Sequence, residues 1–321
     1  MKTDTPTPPP RTTDAGTPTS PPRSTAVGDS VVVGIPAYNE EATIAEIVEE
    51  ARRYVQHVLV VDDGSTDRTK ERAEEAGAIT VTHEQNRGYG SALQTIFNEA
   101  DRRGMEHLVI IDADGQHDPK DIRKLVEAQR KGGAGIVIGS RFAQDARTDV
   151  PLYRRFGLSI INFLTNLGLR FAYATPNITD TQSGFRVYDR AAIETMSRQA
   201  TLSEGMDVSI DILFEAAKDG HEIVEIPIDI TYDVEDANTH HPVVQGLVLL
   251  VSIIKRLYVE RPSRLLGIPG ALCIIVGGGL AMAILSDQSL TQTVPVVLVV
   301  LLLVCGVIIS GIAFVWNKPS G

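Results

Sequence analysis

Between residues 31 and 231 the chain alternates short apolar runs with amphipathic stretches. Residues 31–36 (VVVGIP) are followed by 40–55, where Ile44, Ile47, Val48, Ala51 and Val55 recur at helical spacing among glutamates and arginines. Further apolar runs at 58–61, 78–81, 108–111 and 136–138 predict strands. Helices are predicted from about Thr66, over 89–103, and after Asp118, an N-cap residue before a proline at the first helical position. The runs are apolar throughout rather than alternating, as expected when helices cover both faces of a parallel sheet. The alternation of strand and helix predicts an open, Rossmann-like α/β fold with a mostly parallel sheet. Beyond residue 145 the pattern is less regular. It predicts a helix near 152–171, a strand near 185–188, helices near 190–218 and a strand near 223–231.

The C-terminal fifth differs. Stretches 265–285 and 294–316 contain no charged residue, and each is long enough for a bilayer crossing of roughly 20 residues. This excludes a simple soluble protein. Residues 242–260 place Gln245, Ser252, Lys255, Arg256 and Glu260 near one helical face. That predicts an amphipathic helix in the membrane interface, with an ordinary core helix as the alternative. Lys255, Arg256, Arg261 and Arg264 precede the first span and Lys318 follows the second, while the connecting SDQSLTQT has no basic residue. The positive-inside rule then places the α/β domain and both termini in the cytoplasm.

The first 27 residues hold seven of the seventeen prolines and eight threonines, too little apolar surface to offset ordering entropy. They contain no apolar run of the kind a secretory signal needs. The predicted organisation is a disordered tail over 1–28, an α/β domain over 29–240 and an amphipathic juxtamembrane helix over 241–264. A two-helix membrane hairpin over 265–316 and a short cytoplasmic tail over 317–321 complete it.

Composition narrows the class further. The net charge of −11 lies outside the membrane pair and argues against broad nucleic-acid binding. Arginine outnumbers lysine 22 to 8, and an acidic, lysine-poor surface suits a high-salt cytoplasm. Cys273 and Cys305 both fall in the apolar segments, as packing residues rather than a disulfide or metal pair.

In an open parallel sheet, ligands bind beyond the carboxyl ends of the strands. The polar clusters fall there: Pro36–Glu40 (PAYNE), residues 62–67 (DDGSTD) and residues 112–118 (DADGQHD). Each could be a cap or a turn. Three on one rim crowd negative charge, which is costly unless a cation or a donor-rich ligand resides there. Asp112 and Asp114 straddle a strand end, so both carboxylates can turn toward one ion. Oxygen ligands suit Mg²⁺ or Mn²⁺, and Gln116 can add a carbonyl oxygen. His117 is a further candidate ligand or a loop residue. A phosphatase with an aspartyl nucleophile is the other use of such a pair. That chemistry wants the pair early in the domain with a hydroxyl residue following, and neither holds here.

The ordered motifs PAYNE, VVDDGSTD, NRGYGSA, DADGQH, GSRF and DTQSGFR resemble family 2 glycosyltransferases of the GT-A fold over about residues 31–232. They look most like the polyprenyl-phosphate and dolichyl-phosphate sugar transferases. YDVEDANTHHPVVQG and ERPSRLLGIPG are similar to archaeal dolichyl-phosphate glucosyltransferases of protein N-glycosylation. The QxxRW motif of processive synthases is absent, which favours one sugar per turnover. The resemblance implies that Pro36, Tyr38 and Glu40 border the nucleotide, that Val61 and Asp63 contact its base, and that Asp112, Ala113 and Asp114 hold the metal and the donor diphosphate. Gln116 is implied as a further metal ligand. Arg141, Arg155 and Ser159 are implied for the acceptor phosphate, and Arg186 for the donor diphosphate. Asp180 and Asp207 are acidic site candidates that could equally be a cap or an ion pair.

The implied activity is inverting, metal-dependent transfer of glucose or N-acetylglucosamine from a UDP-sugar to dolichyl or polyprenyl phosphate. A GDP-mannose-dependent enzyme and a membrane-tethered nucleotide-sugar-binding protein without catalysis are the alternatives.

Overall fold

A computed structural model describes residues 28–143, 152–173, 175–199, 208–229, 251–255, 262–286 and 296–316. The 1–27 segment, Asp207, most of the 241–264 helix and the 317–321 tail lie outside the described residues.

Seven strands form one sheet: β1 (Val31–Ala37), β2 (His57–Asp62), β3 (Ile79–Thr82), β4 (His107–Ile110), β5 (Ile136–Ser140), β6 (Arg186–Asp189) and β7 (Ile223–Pro227). Their order is β3-β2-β1-β4-β6-β5-β7. All neighbours pair in parallel except β6, which runs antiparallel to both β4 and β5. The sheet is mostly parallel, as expected, with β6 running antiparallel within it. The hydrophobic pattern could not show this, because a four-residue strand buried on both faces reads the same in either direction.

Helices α1 (Ile44–Ala51), α2 (Thr69–Glu75) and α4 (Asp121–Gly132) cover one face. Helices α3 (Tyr89–Arg102), α5 (Leu152–Tyr173), α6 (Arg190–Ser197) and α7 (Val208–Lys218) cover the other. Successive strand residues alternate between the two cores: Val31, Val33 and Ile35 face one, and Val32 faces the other. Gly34 lets α3 lie directly on β1, since a Cβ there would fall 2.4 Å from Ile96 Cγ2.

Helix α5 is two-faced. Ile161, Leu169, Asn162 and Asn166 turn inward, while Phe156, Ile160, Phe163 and Leu167 form an exposed apolar stripe at helical spacing. The short helical segment 251–255 buries Ile253 in the space above Gly168 and leaves Val251 and Ile254 exposed.

Helices α8 (Pro262–Ser286) and α9 (Val296–Trp316) pack on each other. Both contain apolar stretches long enough to cross a membrane, with mean hydropathies of 2.2 and 3.1. They meet through small residues. A Cβ on Gly270 would fall 2.4 Å from Ser310 Oγ, and one on Gly306 would fall 2.7 Å from Ile274 Cγ1. Without a hydrophobic drive between helices in lipid, close contact of this kind is a main source of their association.

Candidate active site

Parallel register levels the ends of β1 and β2, with Ala37 opposite Asp62. The polar motifs after these strands meet at once, and much of their polarity joins one loop to the other. Asn39 takes the left-handed conformation (φ 58°), and its Oδ1 accepts from Thr66 N at 2.8 Å. Asn39 N donates to Ser65 Oγ, Glu40 N to Thr69 Oγ1 and Glu41 N to Asp67 Oδ2. Thr43 Oγ1 donates to Ala113 O at 2.6 Å, tying α1 to the loop after β4.

Asp63 is buried and braces the next loop. His83 Nδ1 lies 2.6 Å from its Oδ1, and the backbone N–H groups of Arg87 and Gly88 donate to its two oxygens. Gly88, with φ 89°, then starts α3.

These loops enclose a cleft of about 330 Å³. Pro36, Tyr38, Glu40, Asp63, Asp112, Ala113 and Asp114, all expected at the site, line it together. Tyr89, at the first turn of α3, also lines the cleft, and its hydroxyl donates to Asp112 Oδ1 at 2.8 Å. Asp112 is pushed up to about 6, first by burial and then by the neighbouring charge of Asp114. The Tyr89 hydrogen bond, then Arg141 and Arg186, pull it back down. The adjacent backbone leaves no room for error: a Cβ on Gly184 would sit 2.2 Å from Asp112 Oδ2. Gln116 N donates to Asp114 Oδ1 at 3.0 Å, which folds the loop back on itself.

Two expected base and phosphate contacts are placed elsewhere. Val61 is fully buried in the core of β2 and does not line the cleft. Arg186 is 1% exposed, and its guanidinium donates to the carbonyls of Ser183, Ser209 and Thr181. It is a fixed cation beneath the acidic rim.

Beyond β4 lies a second polar network. Arg141 forks onto Asp180, with Nε to Oδ2 at 2.7 Å and Nη2 to Oδ1 at 2.8 Å, and its own N–H donates to the same carboxylate. Asp180 is thus an ion-pair partner. Burial would raise its pKa, but the Arg141 hydrogen bonds and charge hold it below the usual range. Glu225 accepts from the backbone N–H groups of Thr179 and Asp180. Asn162 and Asn166 of α5 clamp the same loop through Thr179 O, Thr181 N and Ile178. Arg155 and Ser159 are both exposed on α5, where the Ser159 hydroxyl donates to Arg155 O at 2.7 Å. Among the described residues no carboxylate pairs with Arg155.

The family model for glycosyl transferase family 2 matches residues 32–197. The chain belongs to this family. The UDP-N-acetylglucosamine–dolichyl-phosphate N-acetylglucosaminyltransferase of Methanococcus voltae is 30% identical, over 62% of this chain and 84% of its own. The polyprenol monophosphomannose synthase of Mycolicibacterium smegmatis is 33% identical, over 62% of this chain and 77% of its own. Glucosyl-3-phosphoglycerate synthase from Mycobacterium tuberculosis, crystallised with Mn²⁺, UDP and glucosyl-3-phosphoglycerate, superposes with a TM-score of 0.53 at 22% identity, covering 73% and 80% of the two chains. That likeness shows the GT-A fold. The protein is a glycosyltransferase.

Several site residues of this family 2 enzyme carry only faint sequence signals. Tyr89 lay inside a motif, but its contact with Asp112 spans 23 residues. Thr43 and Asn39 are polar residues among others. Asn162 and Asn166 had the best signal, two amides four apart on a largely apolar helix.

Asp112 and Asp114 suit a divalent cation by their chemistry: oxygen donors, crowded, with Asp112 raised by burial and then by its neighbour's charge. Among the described residues no three His, Cys, Asp or Glu side chains gather into a closed cage. An ion held by this pair keeps open positions, as a cation shared with substrate phosphates must.

Proposed function

We propose that this enzyme transfers one hexose, glucose or N-acetylglucosamine, from a UDP-sugar to dolichyl or polyprenyl phosphate at the cytoplasmic membrane face, for protein N-glycosylation. The observation that carries it is the single cleft joining the Pro36–Glu40 loop, Asp63 and the Asp112–Asp114 pair. The nucleoside lies over the ends of β1 and β2, and the diphosphate over the end of β4. Asp112 and Asp114 would hold Mg²⁺ or Mn²⁺, with Gln116 as a further ligand, and an ion bound there would supply charge neutralisation for the diphosphate leaving group. Manganese and UDP in a neighbour of the same fold support this.

The acceptor is a lipid monophosphate, largely dianionic near neutral pH because its second pKa is about 6. Such a nucleophile needs no general base. It needs positioning and relief from repulsion by the donor, which Arg141, Arg155 and Ser159 supply. The apolar stripe of α5 and the helices α8 and α9 keep this side at the bilayer. Attack from the acceptor side inverts the anomeric centre.

A GDP-mannose donor is the second reading, favoured by the polyprenol monophosphomannose synthase relative. Membranes containing the protein, given labelled UDP-glucose, UDP-N-acetylglucosamine or GDP-mannose with dolichyl phosphate, decide between them. Lipid-extractable label from none of the three would sink the reading.

Arg155→Ala is expected to lower transfer at least tenfold with donor affinity by calorimetry unchanged, since a charge-assisted bond of roughly 1.5–3 kcal/mol to the acceptor is lost. Arg155→Lys should recover only part, because it loses the fork. A collapse of donor affinity would place this arginine on the other substrate.

Metal binding should depend on pH in a stated direction. Asp112 titrates near 6 in the folded protein against 3.8 ordinarily. The cation-free fold therefore loses stability as pH rises from about 4 to about 6. Protons compete with the cation below about 6, so Mn²⁺ affinity should weaken about tenfold per pH unit there and level off above. Mn²⁺ titrations from pH 5 to 7.5 test this, and a flat profile would remove Asp112 from the ligand set.

A further inference from the structure

The loop between Asp180 and β6 is almost fully satisfied. Asp180 is paired with Arg141, Thr181 Oγ1 donates to Asn162 Oδ1, and Ser183 Oγ donates to Gly139 O at 2.6 Å. Two neighbours break the pattern. Among the described residues, Nε2 of Gln182 is buried without a hydrogen-bond partner. So is Nδ1 of His117, whose side chain is only 7% exposed.

These two residues flank one feature. Gly184, two residues after Gln182, backs onto the Asp112 carboxylate, and the ring of the adjacent Phe185 lies 5.2 Å from the His117 ring. His117 itself follows Asp114 by three residues. Buried polar atoms left unpaired cost free energy, and native structures keep them mainly where a ligand or water completes them.

We propose that His117 and Gln182 bind the hydroxyls of the transferred sugar and set which sugar is accepted. The assignment rests on the nucleotide-sugar reading above. Its geometry comes from strand order. The nucleoside lies over β2 and β1 and the diphosphate over β4, so the group attached to the far phosphate extends toward β6 and β5. Gln182 precedes β6, and His117 packs on Phe185, the residue just before it. Neither side chain suits the acceptor dianion, which the arginines serve. A primary amide and an imidazole each donate and accept, which matches a ring of neutral hydroxyls. A site built to bond a hydroxyl rejects the sugar that misplaces it, because its own polar atoms are then left unpaired.

The test uses the full-length protein in membranes with UDP-glucose, UDP-N-acetylglucosamine and GDP-mannose. Variants are His117→Phe and Gln182→Leu, which fill the space without polar atoms. Each should lower kcat/KM for the best wild-type donor at least tenfold and shrink the ratio between best and second-best donors at least fivefold. The Kd of the bare nucleoside diphosphate should stay within twofold. Where an apolar variant loses its thermal transition, His117→Asn or Gln182→Glu replaces it and must shift the same ratio. Unchanged donor ratios, or equal losses for bare nucleotide and nucleotide sugar, overturn the assignment. A wild type that turns over none of the three donors overturns the nucleotide-sugar reading and this assignment together. Turnover with unaltered ratios overturns the assignment alone.

Discussion

Replacing Gly184 by Ala is expected to lower sugar transfer about a hundredfold while the protein stays folded. The added methyl would fall 2.2 Å from Asp112 Oδ2 and 2.9 Å from its Cγ, a space no real Cβ can share. One of the two must move. The backbone at Gly184 leads directly into β6, which is paired on both sides, so it resists displacement. The carboxylate is the softer partner, with the Tyr89 hydroxyl bonded to its other oxygen, Oδ1. It will rotate away and take a proposed cation ligand out of place. A shift of about 1 Å in a positioning group can cost about 10²-fold in rate. The loss should appear in Mn²⁺ affinity as well as in turnover, with the melting temperature close to wild type. Tyr89→Phe, which removes the hydrogen bond but adds no bulk, should reproduce a smaller part of the effect. Wild-type turnover in Gly184→Ala would show that Asp112 has room to spare and does not need this orientation.

Much of the scaffold was legible in the sequence because burial on both faces leaves a simple trace. Strands β1, β2, β4 and β5 each centre on a short apolar run, and the helices between them carry apolar residues at helical spacing, as with Ile44, Ile47, Val48 and Ala51. Strand direction leaves no such trace, so the antiparallel insertion of β6 was not readable. The helices expected near 190–218 are α6 and α7 among the described residues.

The site was legible in outline and not in its division of labour. A carboxylate that meets a cation and one that caps a loop are the same residue type at the same kind of position. Asp112 lines the cleft, whereas Asp67 accepts from Thr69 and Glu41 and holds two loops together. Arginines divide in the same way. Arg155 is exposed, whereas Arg186 is spent on three carbonyls. Only the fold distinguishes them, because each also meets a partner far along the chain: Asp67 meets Glu41, Arg186 meets Ser209 and Asp112 meets Tyr89.

Arg141 raises the sharpest case, since the residue proposed for the acceptor phosphate is also half of a buried ion pair. Arg141→Met is expected to destabilise the protein by about 3–5 kcal/mol at pH 7, because it strands the fully buried Asp180 carboxylate without its cation. The pH dependence follows from the direction of the shift. Asp180 titrates below 3.8 in the folded state, so its pair stabilises the fold above about pH 4 and is lost as pH falls through the folded value. In Arg141→Met the guanidinium's bonds and charge are lost while the backbone N–H and Arg186 stay, so burial weighs more, Asp180 takes up a proton more readily, and the stability gap to wild type should narrow on acidification. Denaturant titrations at pH 7 and pH 4.5 would show it, and a gap that widens would contradict the pairing. Stability and chemistry can then be separated with the double variant Arg141→Met/Asp180→Leu, which replaces both charges by apolar groups and should regain much of the lost stability. Transfer should stay at least tenfold down in that variant, because the acceptor phosphate still lacks a guanidinium. If transfer returns with stability, Arg141 acts through Asp180 alone, and the acceptor must be held by Arg155 and its neighbours on α5.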